Sequence, residues 1–385
     1  MINKNFLLLL GAALLTFINF FATLVTAPIH VIELGGNEFY AGLQNTVFFI
    51  AAVLLRFYFG PMADSRGRKV PLLIGIFAFA TAPLLFMISN SVFSLIMARV
   101  YQAVGLAAYF SAGTSLTADI SPSDKRGSYL GMYRLVNTLA LLLGPAIAMQ
   151  LKDAYNFDAW FIVSFGIGVA AFILGALITP PTFESQKTSG IKEEVEKNIK
   201  VLRDKNLWPI YIATSLGAFS HGVIFTFSSL YVSQVMNMDN PAIYFTFFGV
   251  FGIFANLAAG YLSDIFGRAR VVWPCLISAG IGVGIYVILP LSSVVFYLSS
   301  FFVGFGFSGA ITVIAAWLVD RSQDKTRATA LSFFESTIDM SIAISSFIFG
   351  GILGIIGFPL SFMLFGLFIV LVSLVMFRFT LLGRF

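Results

Sequence analysis

Apolar residues in this chain come in runs long enough to cross a membrane. A helix needs roughly 20 of them to span about 30 Å of hydrocarbon. Such runs fall at 6–29, 40–62, 70–89, 92–118, 128–151 and 159–178, then at 207–235, 242–262, 271–289, 294–319, 330–354 and 359–379. The pattern predicts an all-α polytopic membrane protein with twelve transmembrane helices in two six-helix bundles, residues 1–178 and 207–385, joined by a cytoplasmic linker over 179–206. Pro180 and Pro181 end the sixth run, because proline supplies no helix donor. Within the linker, residues 191–205 read as a basic amphipathic helix with Ile191, Val195, Ile199 and Leu202 on one face. Such a helix suits either the surface of an anionic leaflet or a solvated connection. The first run is longer than the core of a signal peptide and is read as a span.

Composition agrees with the pattern. The 385 residues are 58% hydrophobic and 11% charged, with a mean hydropathy of +0.93. That is too little charge to cover a soluble domain and suits a chain surrounded by lipid. A net charge of +5 would by itself admit nucleic acid as a partner. The placement of the charges rejects it, since they sit in short loops between the apolar runs. With the N-terminus in the cytoplasm, nineteen of the 23 lysines and arginines fall in cytoplasmic segments and only Lys152 in an outer loop, while Arg56, Arg99 and Arg134 lie within spans. The expected location is the plasma (inner) membrane of a prokaryote, with both termini cytoplasmic. One cysteine, Cys275, excludes an intrachain disulfide, and with only His30 and His221 no metal cluster or cofactor is expected. No G-x-x-x-x-G-K-[ST] motif is present, which argues against ATP-driven transport, and no enzymatic activity is expected.

The two halves repeat. Gly60-Pro-Met-Ala-Asp64-Ser-Arg66-Gly67-Arg68-Lys69 follows the second run, and Gly260-Tyr-Leu-Ser-Asp264-Ile-Phe-Gly267-Arg268 follows the eighth, at an offset of 200. Asp119 with Lys125 and Arg126, and Asp320 with Lys325 and Arg327, form a second pair of loops at an offset of 201. Six-span halves in parallel orientation imply a pseudo-two-fold axis along the membrane normal and a substrate site between the halves. The first of these segments resembles the signature of the major facilitator superfamily between its second and third helices, and Gly260 to Arg270 resembles the weaker second copy. Arg99-Val-Tyr-Gln102-Ala103-Val-Gly105 is similar to the superfamily's fourth-helix signature, with Ala103 where glycine is usual. Gly144-Pro145 is similar to the fifth-helix signature of its proton-linked exporters, with Ala148 and Met149 in place of the second glycine pair.

That resemblance implies roles. Gly60, Asp64, Arg66, Gly67, Arg68 and Lys69, with Asp264 and Arg268 in the second copy, would form a conformational latch, since in the family this loop packs against the start of the eleventh helix. Charges inside spans default to functional hypotheses because they are expensive there. Asp339, Glu335, Arg134, Arg99 and His221 are the proton-coupling candidates. Asp339 and Glu335 share a helix face, and the 201 offset maps Arg134 onto Glu335. Arg99 matches an arginine in the exporters' proton-coupling region, or is satisfied by helix carbonyls. His221 is a proton relay or a side chain hydrogen-bonded to a neighbouring helix. Arg56 is expected to snorkel or to pair with Asp119. Gln44, Asn45, Asn137, Ser220 and Thr226 are the candidates to line a substrate cavity. The glycine runs at 280–284 and 304–309 suggest close helix packing.

The reading placed first is a monomeric secondary active transporter that exports small, partly apolar compounds in exchange for protons by alternating access. Proton-linked uptake or facilitated diffusion of a small polar solute, a sugar or an organic anion, is the second reading. A non-transporting membrane receptor or lipid-handling protein on the same fold is the third. The topology is checked by labelling: cysteine placed at 37 or 238 is expected to react with an impermeant thiol reagent added to intact cells. Reaction at 190 would refute the cytoplasmic linker.

Overall fold

In the computed structural model, described over residues 3–122, 125–179, 201, 203–236, 241–323 and 327–382, nearly everything is helix. Hydrocarbon leaves a chain no other means of pairing each backbone N–H and C=O within one segment. Two compact units form, Met1–Thr188 and Ser189–Phe385.

The first unit contains α1 (Lys4–Glu33), α2 (Glu38–Arg66), α3 (Lys69–Met87), α4 (Val92–Ile120), α5 (Arg126–Ala154) and α6 (Phe157–Ala176). At one end of this unit, side chains start the helices. Asn37 caps α2 by accepting from the Tyr40 N–H, Ser91 and Ser94 form a capping box on α4, and Asn156 caps α6. Helix α1 packs on α5 and α6, α2 on α4, and α3 on α4 and α6. Small residues set these approaches. A methyl group at Gly144 of α5 would lie 2.6 Å from the Ile18 carbonyl oxygen of α1.

The second unit contains α7 (Trp208–Met236), α8 (Ile243–Phe266), α9 (Arg268–Gly284), α10 (Val294–Arg321) and α11 (Arg327–Leu381). Helix α9 runs on as a 3-10 turn over Ile285–Leu291. Among the described residues, eleven helices are long and apolar enough to cross a membrane. The expected twelfth crossing is inside α11, whose 55 residues are interrupted at Gly357 by a backbone at φ 75°, ψ 171°. In a straight helix Phe349 and Phe365 would be roughly 24 Å apart. Their ring centroids are 5.1 Å apart, so the two arms of α11 fold back on each other as a hairpin. Each arm exceeds the length that a crossing needs.

The repeat read from the sequence is present in the backbone. Gly67 between α2 and α3 has φ 86° and ψ 160°, and Gly267 between α8 and α9 has φ 90° and ψ 146°. Both are in a region open essentially to glycine alone, which lets two helices meet without a loop. Helix pairs match as well: α8 packs on α10, α9 on α10 and α11, and α7 on α11, as their counterparts do in the first unit. Close packing at the glycine runs is also found. A methyl at Gly304 would lie 2.5 Å from the Phe248 carbonyl oxygen, and one at Gly306 2.5 Å from that of Cys275. Gly267→Ala is expected to destabilise the protein by about 1–3 kcal/mol, read as a lower melting temperature in detergent. No atom lies within 4 Å of a methyl group there, so steric clash does not enter. An unchanged melting temperature would show that the turn relaxes.

Candidate functional site

Three polar arrangements stand out against the apolar interior. The first is in unit 1. Arg99 on α4 has no solvent exposure. Its guanidinium donates to Gln102 Oε1 and, at 2.5 Å, to Asn45 Oδ1 on α2. Its Cζ lies 3.9 Å from the centre of the Phe48 ring. Among the described residues no carboxylate pairs with it, and Nε has no hydrogen-bond acceptor. Gln102 Nε2 in turn donates to Thr23 Oγ1 on α1 at 3.3 Å, and Thr23 donates to the Asn19 carbonyl at 2.7 Å. Asn19 and the α6 residue Ser164 bond in both directions at 2.9 Å. A buried polar chain thus links α2, α4, α1 and α6.

Magnitudes explain how a cation persists there. An arginine at the centre of a membrane helix is disfavoured by roughly 2.5–3.5 kcal/mol on insertion scales. Two hydrogen bonds to a charged group contribute about 1.5–3 kcal/mol each, and a desolvated ring face adds about 2 kcal/mol. Neutral partners are sufficient.

The repeat shows that the helix crossing itself does not need the charge. At the 201 offset that relates α4 to α10 position 99 becomes Ser300, and at the 200 offset that relates α2 to α8 position 45 becomes Phe245, so neither place holds a charge or an amide. Beside them Tyr244 of α8 faces Ser299 of α10. These two are hydrogen-bonded at 3.0 Å, and Ser299 donates to the Gly282 carbonyl at 2.7 Å. A neutral hydroxyl pair holds the corresponding crossing in unit 2.

The second arrangement is in unit 2. Asp339, on the first arm of α11, is buried, while Glu335 one turn earlier is exposed. His221 on α7 is stacked on Phe225 at 4.0 Å and packed against Phe307 at 4.5 Å, with Nδ1 unpaired among the described residues. Aromatic faces enclose this ring. Thr226 pairs with Ser346 at 3.1 Å across the contact of α7 with α11, and Ser220 donates to the Gly217 carbonyl. In unit 1 Gln44 is buried and donates to the Ala41 carbonyl, but it is not bonded to Arg99. Arg134 is exposed and Asn137 half-buried on α5. Of the cavity candidates, Asn45 alone is brought onto the arginine.

The third arrangement is duplicated at the basic end of each unit. Arg68 pairs with Asp119 at 3.7 Å. Arg268 pairs with Asp320 at 2.9 Å and Asp264 at 2.5 Å, and donates to Ser263 Oγ at 2.7 Å. Asp119 is therefore matched with Arg68, not with Arg56. Lys69 Nζ donates to the Ala176 carbonyl, where it meets the negative end of α6. Gly60 and Gly260 have open space around them, and Arg66 is exposed. The Asp64 side chain lies outside the described residues, as do most of the 179–206 linker and its amphipathic segment. Such half-exposed ion pairs contribute at most about 1 kcal/mol each, so their value is in fixing the turn.

Sequence reasoning missed Asn19, Thr23, Ser164 and Phe48. A signal was present: Thr16, Asn19, Thr23 and Thr26 recur at helical spacing on α1, and all four are buried. Asn45→Leu would remove one acceptor from Arg99. It is expected to cost about 1.5–3 kcal/mol of stability, measured by thermal unfolding. A variant as stable as the parent would leave Gln102 and the Phe48 face as sufficient support.

Comparison with known proteins adds a family context. The family profile described as Major Facilitator Superfamily matches residues 9–255 and 241–384. The chain is 25% identical over 268 residues to the quinolone resistance protein NorA of Staphylococcus aureus, covering 69% of this chain and 67% of that one. It is 24% identical over 226 residues to the MFS-type transporter YtbD of Bacillus subtilis, a match over 58% of this chain that spans only 56% of that relative's length. Among solved structures, the nucleoside transporter NupG superposes with a TM-score of 0.82 at 12% identity, over 98% of this chain and 99% of that one. A peptide transporter of the POT type superposes with a TM-score of 0.81 at 13% identity, over 98% and 94%. At such identities these structures share the fold alone.

Proposed function

The chain belongs to the major facilitator superfamily, and from that premise we propose a secondary active transporter that exports small, partly apolar compounds in exchange for protons by alternating access. Membership makes it a multi-pass membrane transporter. Direction, cargo and coupling are the proposal. The observation that carries it is the buried arginine of unit 1, which is held by neutral partners at a crossing that unit 2 closes with a tyrosine and a serine. A charge that the scaffold does not require, kept where it is expensive, is there for transport.

On this reading Arg99 supplies a fixed positive field in unit 1, and the buried Asp339 of unit 2 is the carboxylate that takes up and releases the proton. Glu335, Arg134 and His221 have secondary places, the first two because they are exposed and the third because its ring is enclosed by aromatic side chains. Asp64, with Gly60, Arg66, Gly67, Arg68, Lys69, Asp264 and Arg268, serves as the latch of the transport cycle. The relative named for quinolone resistance supports the outward direction and the partly apolar cargo. The protein works as a monomer in the plasma membrane with both termini cytoplasmic.

A conformational cycle couples proton to cargo only if the proton site binds differently in the two states. Proteoliposomes with an imposed pH gradient, screened against a substrate panel, test this. Asp339→Asn is expected to abolish accumulation while leaving substrate counterflow, which needs no net proton movement. Undiminished accumulation in Asp339→Asn, and in the double variant with Glu335→Gln, would remove the carboxylate from the coupling step.

A further inference from the structure

We propose that a lateral groove on unit 2 holds one acyl chain of an anionic phospholipid, drawn from the leaflet at the basic end of that unit, with the headgroup on Arg203 and Lys205. The groove has a volume of about 520 Å³ and is walled by α7 and both arms of α11. Trp208, Tyr211, Ser215 and Phe219 of α7 line it, with Phe333 and Phe368 opposite. From Trp208 to Phe219 the wall is roughly 16 Å long, close to half the thickness of the hydrocarbon layer. Its length is thus that of one leaflet.

The chemistry of the wall favours a chain over a selected solute. Its few polar groups are hydroxyls and the Trp208 indole N–H, with no charge or amide to fix an orientation, whereas a solute pocket has a few placed polar groups. It opens sideways: Trp208 is 57% exposed and Phe368 48%. Those side chains continue the exposed apolar surface of α7 and α11, with Ile212, Leu364 and Leu371.

The end of the groove supplies the headgroup partner. Lys205 accepts, through its carbonyl, a hydrogen bond from the Trp208 N–H, so it is one turn from the groove. Lys205 and Arg203 are exposed, and Arg378 is exposed six residues beyond the lining residue Val372 on the second arm of α11. Asp204 between them is engaged by the Asn206 N–H at 3.0 Å. Arg270 and Arg321 lie at the same end of the unit, where Arg268 is already paired with Asp264 and Asp320, and the opposite end has no lysine or arginine. Clusters of this kind attract anionic lipid, and Trp208 with Tyr211 provides the aromatic pair usual at headgroup level.

The test uses the whole protein in phosphatidylcholine vesicles containing either brominated-chain phosphatidylglycerol or brominated-chain phosphatidylcholine. Trp208 reports through bromine quenching, taken as the difference between the parent and Trp208→Phe. The other three tryptophans, Trp160, Trp273 and Trp317, are exposed by 1%, 0% and 3% and contribute little. Half-quenching is expected at a lower mole fraction of the phosphatidylglycerol. That preference should fall about fivefold for each of Arg203→Gln and Lys205→Gln, substitutions at exposed positions that the fold tolerates. Ser215→Phe, which fills the groove, should weaken quenching by both lipids. Equal quenching by the two lipids, or a preference unmoved by both charge variants, would reduce the groove to ordinary boundary lipid. Quenching that falls as protein density rises, with cross-links between copies at position 212, would assign the face to a second copy. Either result overturns the proposal.

Discussion

Hydrocarbon gives a buried polar group no partner, so every such group in a span has to find one on its own helix or a neighbouring one. Most of the serine and threonine hydroxyls here take the cheapest route and donate to the carbonyl three or four residues back, as Thr16, Thr26, Ser111 and Thr117 do. Asparagine, glutamine and arginine have more groups than one turn of helix can satisfy. Where they are met by other helices, they determine which helices cross at their depth. Asn19 with Ser164 ties α1 to α6, and Arg99 with Asn45 ties α4 to α2. Unit 1 is organised around this short list of obligations.

Van der Waals packing does the rest, and the duplicated units show how freely it can be arranged. In unit 1 the crossing of α1 and α5 has its glycine on α5, where Gly144 faces Ile18 and Ala22. In unit 2 the matching crossing has its glycine on α7, where Gly222 faces Ile342 and Ser345. Position 22 corresponds to 222, and 144 corresponds to 345. The close approach has been kept while the small residue that permits it has moved to the partner helix. Only the sum of the two side-chain volumes at the contact matters for the distance between axes. The turns behave differently. Gly67 and Gly267 occupy the same place in both copies because a backbone conformation, unlike a volume, cannot be shared with a neighbour.

These differences account for what was legible in the sequence. Spans depend on summed hydropathy, and the turn motifs on residues adjacent in the chain, so both were readable. The ion pairs at the basic ends were not: the one partner expected for Asp119 was Arg56, and the structure pairs Asp119 with Arg68. The two arms of α11 were already separate as the runs 330–354 and 359–379. Which face of a helix looks inward was not readable for helices apolar all round, because nothing in the pattern distinguishes lipid from protein. Gln44, Asn45, Asn137, Ser220 and Thr226 were therefore grouped as equals, and only Asn45 reaches the arginine. For α1 the polar stripe at 16, 19, 23 and 26 did mark the inward face. His221 was hidden for another reason: its neighbours Phe307 and Phe248 come from α10 and α8, far away in sequence.

The units therefore share a scaffold and differ in what is inside it. Positions 44, 45, 48 and 99 hold glutamine, asparagine, phenylalanine and arginine; the same places in the second copy hold Tyr244, Phe245, Phe248 and Ser300. Phe48 and Phe248 are the same residue in the same register. One ring receives a guanidinium on its face at 3.9 Å. The other packs among Phe225, Phe307 and the His221 ring at 5.8, 6.1 and 6.5 Å. Two crossings with equal spacing requirements have been closed once with a charge and once with rings and hydroxyls. Helix packing is satisfied by either solution, and the neutral one avoids the expense of a buried cation. Stability alone therefore gives no reason for the arginine in unit 1. On the proposed function the reason is in what the unit binds or passes on during transport, and that proposal assigns the functional burden of the duplication to the residues by which its two copies differ.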